Sequence, residues 1–277
     1  MVAFPNAKIN IGLNILRRRP DGYHDISTVM YPVEWCDVLE IMPSETTRLS
    51  TSGRVIDCIP EKNLVIKALH AVENYCRLNL DCDIYMHKTI PDGAGLGGGS
   101  SDAAFMVKLL DETFELELTE TDMLKICSTI GADCPFFIKN TPVLATGIGE
   151  ILTPIELDLT GWKILIVKPK ESISTAQAYA GVTPTEPDFN LAQAIEKPVT
   201  EWENLIVNDF EPVVYKHHPE FLDIKEHLYR DGAVYASMSG SGSAFYGLFN
   251  PDADNVAELS SMYSSEGMIV YCGTLKK

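Results

Sequence analysis

The chain has 277 residues, which is enough for one large domain or two ordinary ones. A composition of 45% hydrophobic and 22% charged residues is typical of a folded globular protein and excludes collagen-like and disordered chains. The net charge of −17 repels phosphate backbones and anionic lipids, so we expect neither a nucleic acid nor a membrane as a partner.

The cysteines and the N-terminal sequence indicate the compartment. No window approaches ~18 uninterrupted apolar residues, and the N-terminus has no signal-peptide pattern. Because the seven cysteines form neither a CxxC pair nor a zinc-binding pattern, we interpret them as reduced core residues. They are Cys36, Cys58, Cys76, Cys82, Cys127, Cys134 and Cys272. The sequence predicts a cytoplasmic protein, either a monomer or a weak homodimer.

The first predicted elements are two strands. Aliphatic and polar residues alternate over residues 8–15, which predicts a strand with Lys8 and Asn10 on its polar face. A turn at residues 20–22 leads to a second apolar strand that runs through Val33.

Helices and a glycine-rich loop follow. Apolar residues at helical spacing predict a helix over residues 63–78, and alternation predicts a strand over 82–90. The run Pro-Asp-Gly-Ala-Gly-Leu-Gly-Gly-Gly-Ser-Ser at 91–101 comes next and opens a helix. Another helix begins at Thr119, in a capping-box pattern with the aspartate three residues later, and ends at Gly131.

The second half mixes strands and helices without strict alternation, which favours two α+β domains. Residues 141–149 are rich in turn-forming residues, so we place the domain boundary near residue 150, giving domains 1–150 and 151–277. The elements predicted after it are a strand at 162–167, helices at 174–179 and 220–229, a glycine-serine run at 239–243, a strand at 244–249 and a final helix and strand.

The glycine-rich loop is the strongest local signal. Five glycines between residues 93 and 99 allow close approach to a ligand, and a helix that opens directly behind them favours an anion. A Walker A loop requires a lysine after its last glycine, where this chain has Ser100, so a P-loop NTPase is excluded. The dinucleotide fingerprint at 93–98 lacks the expected second strand, which makes an NAD-dependent oxidoreductase the lesser alternative.

Several separated motifs resemble the galactokinase, homoserine kinase, mevalonate kinase and phosphomevalonate kinase (GHMP) superfamily. The branch that acts on 4-diphosphocytidyl-2-C-methyl-D-erythritol is the most similar. The matching segments are Asn6-Ala7-Lys8-Ile9-Asn10, Asp21-Gly22-Tyr23-His24, Asn63-Leu64, the loop at 91–101, Gly131-Ala132-Asp133-Cys134-Pro135-Phe136-Phe137, Ser174-Thr175 and the run at 239–243.

This resemblance implies a two-domain GHMP kinase fold with the active site in the cleft between the domains. It implies transfer of the γ-phosphoryl group of ATP, with Mg²⁺, to the 2-hydroxyl of a small-molecule substrate on the non-mevalonate route to isoprenoid precursors. Asp133 is implied as the catalytic base, and Lys8 beside it keeps the aspartate ionised and stabilises developing charge. Taken alone, Asp133 also fits a helix cap, and Lys8 a solvated edge lysine.

The resemblance also implies two sets of binding residues. The ATP set is Asn63, Leu64, Lys88, Pro91, Gly93, Gly95, Leu96, Gly97, Gly98, Gly99, Ser100 and Ser101. The substrate set is Asn10, Tyr23, His24, Thr175 and Tyr179, in which the two tyrosines clamp the cytosine and the histidine reads its edge.

Some residues and alternatives remain open at this point. Either serine of the loop, Ser100 or Ser101, offers a hydroxyl to magnesium, but no protein metal ligand is assigned. Asp102 adds negative charge beside the anion site, and we interpret it as favouring the helix dipole. A homoserine- or mevalonate-type kinase and a catalytically silent nucleotide-binding regulator are the alternatives within this fold.

Overall fold

A computed structural model describes residues 1–55, 59–187 and 189–276. The strands are β1 (Val2–Ala3), β2 (Asn6–Arg18), β3 (His24–Cys36), β4 (Val38–Pro43), β5 (Arg48–Gly53), β6 (Cys82–Lys88), β7 (Val143–Gly147), β8 (Ile151–Pro154), β9 (Lys163–Lys168), β10 (Tyr235–Met238), β11 (Phe245–Phe249) and β12 (Ile269–Thr274). The α-helices are α1 (Leu64–Cys76), α2 (Gly98–Phe114), α3 (Glu120–Ser128), α4 (Phe136–Lys139), α5 (Thr175–Gly181), α6 (Leu191–Ala194), α7 (Glu211–His217), α8 (Glu220–Arg230) and α9 (Val256–Ser265).

The chain forms two compact units, each built from segments that are not contiguous in sequence. Unit 1 consists of Met1–Lys8, Trp35–Asp92 and Gly97–Thr141. Unit 2 consists of Ile9–Glu34, Gly93–Leu96 and Pro142–Lys277. Unit 2 thus includes two segments from the first half of the chain. The domains 1–150 and 151–277 remain a prediction.

Unit 1 contains a four-stranded sheet in the order β1-β4-β6-β5, in which β5 runs parallel to β6 and the other pairs are antiparallel. Helices α1 and α2 pack against each other, and α2 also packs on β4. Asn63 caps α1, because its Oδ1 accepts a hydrogen bond from the Val65 amide at 2.9 Å. The predicted capping box of α3 is confirmed, with Thr119 and Asp122 satisfying each other's backbone amides.

Unit 2 contains an antiparallel sheet in the order β10-β11-β9-β12, whose central strands β11 and β9 are almost entirely buried. Another sheet has the order β2-β3-β7-β8. The prediction of a turn-rich stretch over 141–149 is wrong for its first part, which is strand β7. Val143 and Ala145 are buried there, and the turn glycines follow them.

Strand β2 is buried on both faces. Its aliphatic residues are in the core, as predicted, but the polar residues between them are also buried from Asn6 to Ile15. The interpretation of Lys8 as a solvated edge lysine is therefore wrong, because its side chain is 3% exposed.

No helix among the described residues is long and apolar enough to cross a membrane. The six described cysteines are free thiols, and Cys82, Cys127 and Cys134 are buried. Burial raises the pKa of the Cys82 and Cys134 thiols to about 11 and that of Cys127 to about 12, so all three are neutral thiols near pH 7. Cys58 lies outside the described residues.

Candidate active site

The glycine-rich loop ends at the start of α2. Gly97 is the N-cap of this helix and has a φ of 70°, a left-handed conformation that favours glycine. A Cβ atom at Gly97 would lie 3.1 Å from both Cγ and Cε of Lys8, and 3.0 Å from Cζ of Phe137. The loop therefore places the N-terminus of α2 directly beside the Lys8 side chain, an arrangement that suits an anion.

Lys8 and Asp133 form an ion pair in unit 1. The Lys8 Nζ lies 3.3 Å from Oδ2 of Asp133, and the Asp133 side chain is one-third exposed, at 33%. Lys8 is brought there by β2, and Asp133 by the short turn before α4. A buried ammonium thus faces a carboxylate that a substrate in solution can reach.

The helix-cap interpretation of Asp133 is not what the structure shows. Helix α4 begins after Pro135, which is its N-cap and which makes no side-chain capping bond. The Asp133 carboxylate contacts Lys8 instead. The next residue, Cys134, is a neutral buried thiol and offers no thiolate nucleophile.

A buried ion cluster lies where β6 ends and α2 begins. Lys88 Nζ donates to Oδ2 of Asp102 at 2.7 Å and also to Oδ2 of Asp37. The interpretation of Asp102 as a helix-dipole residue is wrong, because its carboxylate is buried and paired with Lys88, and α2 has no acidic residue in its first turn. Burial raises the pKa of Asp102 to about 7, against the lowering effect of Lys88.

This pKa has a measurable consequence for stability. A carboxyl group whose pKa is about 7 in the folded protein and keeps its ordinary value of 3.8 in the unfolded chain binds more protons in the folded protein between these two pH values. Its contribution to the free energy of unfolding is therefore full below about pH 4 and is lost as the pH rises through about 7. We expect Asp102→Asn to flatten the pH dependence of urea unfolding between pH 4 and 7. An unchanged slope would contradict the shifted pKa.

A cavity of about 130 Å³ lies beside this cluster in unit 1. It is lined by Lys62, Asn63, Leu64, Met86, Lys88, Asp92, Gly99 and Asp102. Four of the predicted ATP-binding residues, Asn63, Leu64, Lys88 and Gly99, are therefore brought to one cavity next to the loop.

In unit 2 the two glycine-rich runs contact each other. Ser239 Oγ donates to the Gly95 carbonyl at 2.8 Å, and the amides of Ser243 and Ala244 donate to the carbonyls of Gly93 and Ala94 at 3.2 Å each. These bonds fix the first half of the loop against the run at 239–243.

Asn10 and Asn208 form hydrogen bonds with the run at 239–243. The Asn10 amide donates to Ser239 Oγ at 3.1 Å, and its side chain donates to Thr28. Asn208 Nδ2 donates to the carbonyls of Met238 and Gly240 at 2.8 Å each. The sequence analysis missed Asn208, because a single asparagine between the 3-10 helix Val199–Asn204 and α7 carries no motif.

The predicted substrate residues of unit 2 are arranged around α5. The rings of His24 and Tyr179 stack, with centroids 5.1 Å apart and planes 22° apart, and Tyr179 also meets the edge of Phe210. Tyr23, which was expected to form the clamp with Tyr179, is 61% exposed at the turn before β3. Thr175 Oγ1 lies 3.0 Å from Ser241 Oγ.

Known proteins match this chain over most of its length. Residues 63–140 match the family described as GHMP kinases N terminal domain, and residues 191–265 match GHMP kinases C terminal. The 4-diphosphocytidyl-2-C-methyl-D-erythritol kinase of Bacteroides thetaiotaomicron is 50% identical over 91% of this chain and 93% of its own. The chain belongs to the 4-diphosphocytidyl-2-C-methyl-D-erythritol kinase family of GHMP kinases.

Other comparisons agree with this family. The kinase of the same name from Parabacteroides distasonis is 50% identical over 90% of this chain and 92% of its own. A crystal structure of a 4-(cytidine 5'-diphospho)-2C-methyl-D-erythritol kinase has a TM-score of 0.86 and 30% identity, with full coverage of both chains. The Methanococcus jannaschii mevalonate kinase, at 15% identity and a TM-score of 0.72 over 100% of this chain and 98% of its own, shares the fold. The predicted two-domain GHMP kinase fold is confirmed, and membership of this kinase family implies the use of ATP.

Proposed function

We propose that this protein transfers the γ-phosphoryl group of ATP to the 2-hydroxyl of 4-diphosphocytidyl-2-C-methyl-D-erythritol. The observation that carries the proposal is the Lys8–Asp133 pair at 3.3 Å beside Gly97, the residue that opens α2. A phosphoryl-transfer site needs a base for the acceptor hydroxyl and positive charge beside the transferred group, and this pair supplies both.

In the proposed mechanism the Asp133 carboxylate accepts the proton of the acceptor hydroxyl. The Lys8 ammonium balances the carboxylate before transfer and stabilises the oxygens of the phosphoryl group during it. The buried position of Lys8 strengthens this effect, because water does not screen its charge as it screens an exposed lysine.

The loop and α2 hold the phosphates of ATP through backbone amides, and the adenosine end borders Asn63 and Leu64. This use of local amides suits an anionic substrate on a protein with a net charge of −17. Magnesium bound together with ATP would shield the phosphate charges. Ser101 fits as its hydroxyl partner, because Ser101 Oγ is buried and has no hydrogen-bond partner among the described residues.

The cytosine is proposed to bind at the stacked rings of His24 and Tyr179, with Tyr23, Asn10 and Thr175 around it. If Tyr179 stacks on the base, Tyr179→Ala raises the KM for the cytidine substrate by roughly 5- to 150-fold, since stacking on an aromatic ring contributes about 1–3 kcal/mol. The KM for ATP is unchanged. Steady-state kinetics with each substrate varied in turn measures both values.

The matched control is Tyr179→Phe, which keeps the ring and its contact with Phe210. It should bind the substrate almost as the native protein does. An equal rise in both KM values for Tyr179→Ala would mean that the tyrosine supports the fold and does not bind cytosine.

The test of the whole proposal is ADP release with three acceptors offered separately: the cytidine substrate, homoserine and mevalonate. Turnover of the cytidine substrate alone is expected, and a preference for either of the others would overturn the proposal.

We also propose a cytoplasmic location and a monomer or weak homodimer, with no nucleic-acid or membrane partner. These proposals rest on the sequence and its charge.

A further inference from the structure

The cluster of Asp37, Lys88 and Asp102 is almost completely removed from water. The exposed fractions of the three side chains are 0%, 1% and 4%. Two carboxylates share one ammonium, so the formal charge of the cluster is −1 when both carboxyl groups are ionised. Because burying charges opposes folding unless their partners compensate, this arrangement requires a reason.

The contacts of the cluster reach both ends of the glycine-rich loop. Asp37 Oδ1 accepts the backbone amides of Thr89 at 2.6 Å and Ile90 at 2.9 Å, the two residues that lead into the loop. Asp102 lies on α2, just after the loop. Lys88 bonds to both aspartates and is the link between the two ends.

The two ends are also in close contact. A Cβ atom at Gly98 would lie 2.9 Å from Cγ2 of Ile90 and 3.4 Å from Nζ of Lys88. Any change in the separation of β6 and α2 at this point would therefore move the amides that begin the helix. The ion cluster bridges the same two elements, because Lys88 at the end of β6 donates to Asp102 on α2.

Charge alone does not explain the cluster as a phosphate site. The Lys88 ammonium is matched by two carboxylates, so the cluster as a whole does not attract a polyphosphate. A lysine that bound ATP through its charge would be weakened by the aspartates around it.

We propose that Lys88 is a positioning residue, which with Asp37 and Asp102 holds the two ends of the loop at the spacing that ATP requires. This rests on the proposed function, because it assigns the loop to the phosphates of ATP. Lys88 then acts on ATP through the loop and not through a direct charge contact.

The deciding variant is Asp102→Ala, for which the two explanations predict different results. It removes a carboxyl group beside the loop, so electrostatics alone predicts ATP binding that is tighter, or unchanged where that carboxyl group is protonated. If the ion cluster holds the loop, its loss predicts that the dissociation constant for a non-hydrolysable ATP analogue rises roughly 10- to 100-fold, as expected when a buried charged hydrogen bond is lost. Calorimetry on the full chain measures it. Tighter or unchanged binding would overturn the proposal.

Glu112→Ala is the matched control, because it removes the same charge from an exposed position on the same helix. It should leave the affinity for the ATP analogue and the activity unchanged. Calorimetry with the ATP analogue needs no acceptor, so it tests the role of the ion cluster separately from the proposed function. A failure to phosphorylate the cytidine substrate would count against the proposed function only.

A variant without charges separates positioning from stability. In Asp37→Asn/Lys88→Met/Asp102→Leu the amide oxygen still accepts the loop amides, and apolar groups replace the ion pairs, a change that is often neutral or stabilising. We expect it to melt at or above the temperature of Asp102→Ala, yet to bind the ATP analogue as weakly. Native affinity in this variant would show that the cluster acts on stability only.

Discussion

Asp133→Asn is expected to lower kcat by ~100- to 10,000-fold, the range for loss of a general base, while both substrates bind as before. Asparagine has the size of aspartate and keeps a hydrogen-bonding oxygen for Lys8, but it cannot take the proton of the acceptor hydroxyl. Rapid-quench turnover, together with the KM values for both substrates, measures the effect. Native turnover would mean that the base is another group or that positioning of the phosphates is sufficient.

The partner residue provides the control for this result. Lys8→Met removes the ammonium and keeps most of the buried stem, and we expect a loss of similar size. The double variant should be little worse than either single one, because the two residues act on the same step. Losses that multiply would show that Lys8 and Asp133 act independently.

Gly95→Ala is expected to lower kcat/KM for ATP by about 100-fold or more, the loss that follows a displacement of about 1 Å at a catalytic site. Gly95 has a φ of 72°, and a Cβ atom there would lie 1.9 Å from the Ser239 carbonyl oxygen, a separation that no contact allows. The loop and the run at 239–243 must move apart, which breaks the hydrogen bonds between them. Kinetics and thermal melting of the variant measure both effects.

Gly232→Ala separates backbone strain from close approach. Gly232 has a φ of 101°, but a Cβ atom there would meet nothing within 4 Å. This variant should lose about 1 kcal/mol of stability and keep its activity. If Gly95→Ala behaves no worse than this control, the contact with Ser239 does not fix the loop.

The local patterns of the sequence predict much of the fold. Alternation in β2 and the capping box of α3 are signals contained within a few residues, and the strand and the capping box form as predicted. The predicted end of the helix at Gly131 is wrong, because α3 ends at Ser128. Strand β7 was missed because its five residues end in Gly147 and Gly149 comes two residues later, a pattern typical of a turn. β7 pairs with β8 on one side and with β3, more than 100 residues earlier, on the other. No local pattern shows the pairing with β3.

In the candidate site, too, residues that belong to local motifs were predicted, and residues that act through distant contacts were not. The loop was found from its glycines, and Lys8 and Asp133 were identified through motifs that resemble the family. Asp37 and Asn208 were not found, because each acts through hydrogen bonds to backbone that lies far along the chain. For Asp37 the ion partner Lys88 is 51 residues away, and for Asn208 the Gly240 carbonyl is 32 residues away. Supporting residues of this kind are set by packing and become visible only in three dimensions.

Strand β3 is synthesised well before β7, the strand with which it pairs. Ile26 pairs with Gly147, so at a synthesis rate of about 5–20 residues per second the earlier strand is made roughly 6–24 seconds before its neighbour. Until then β3 has an unpaired edge next to a strand rich in aliphatic residues, the type of surface that promotes association with other chains. During synthesis we therefore expect β2 and β3 to present an edge that favours association with other chains until β7 is made.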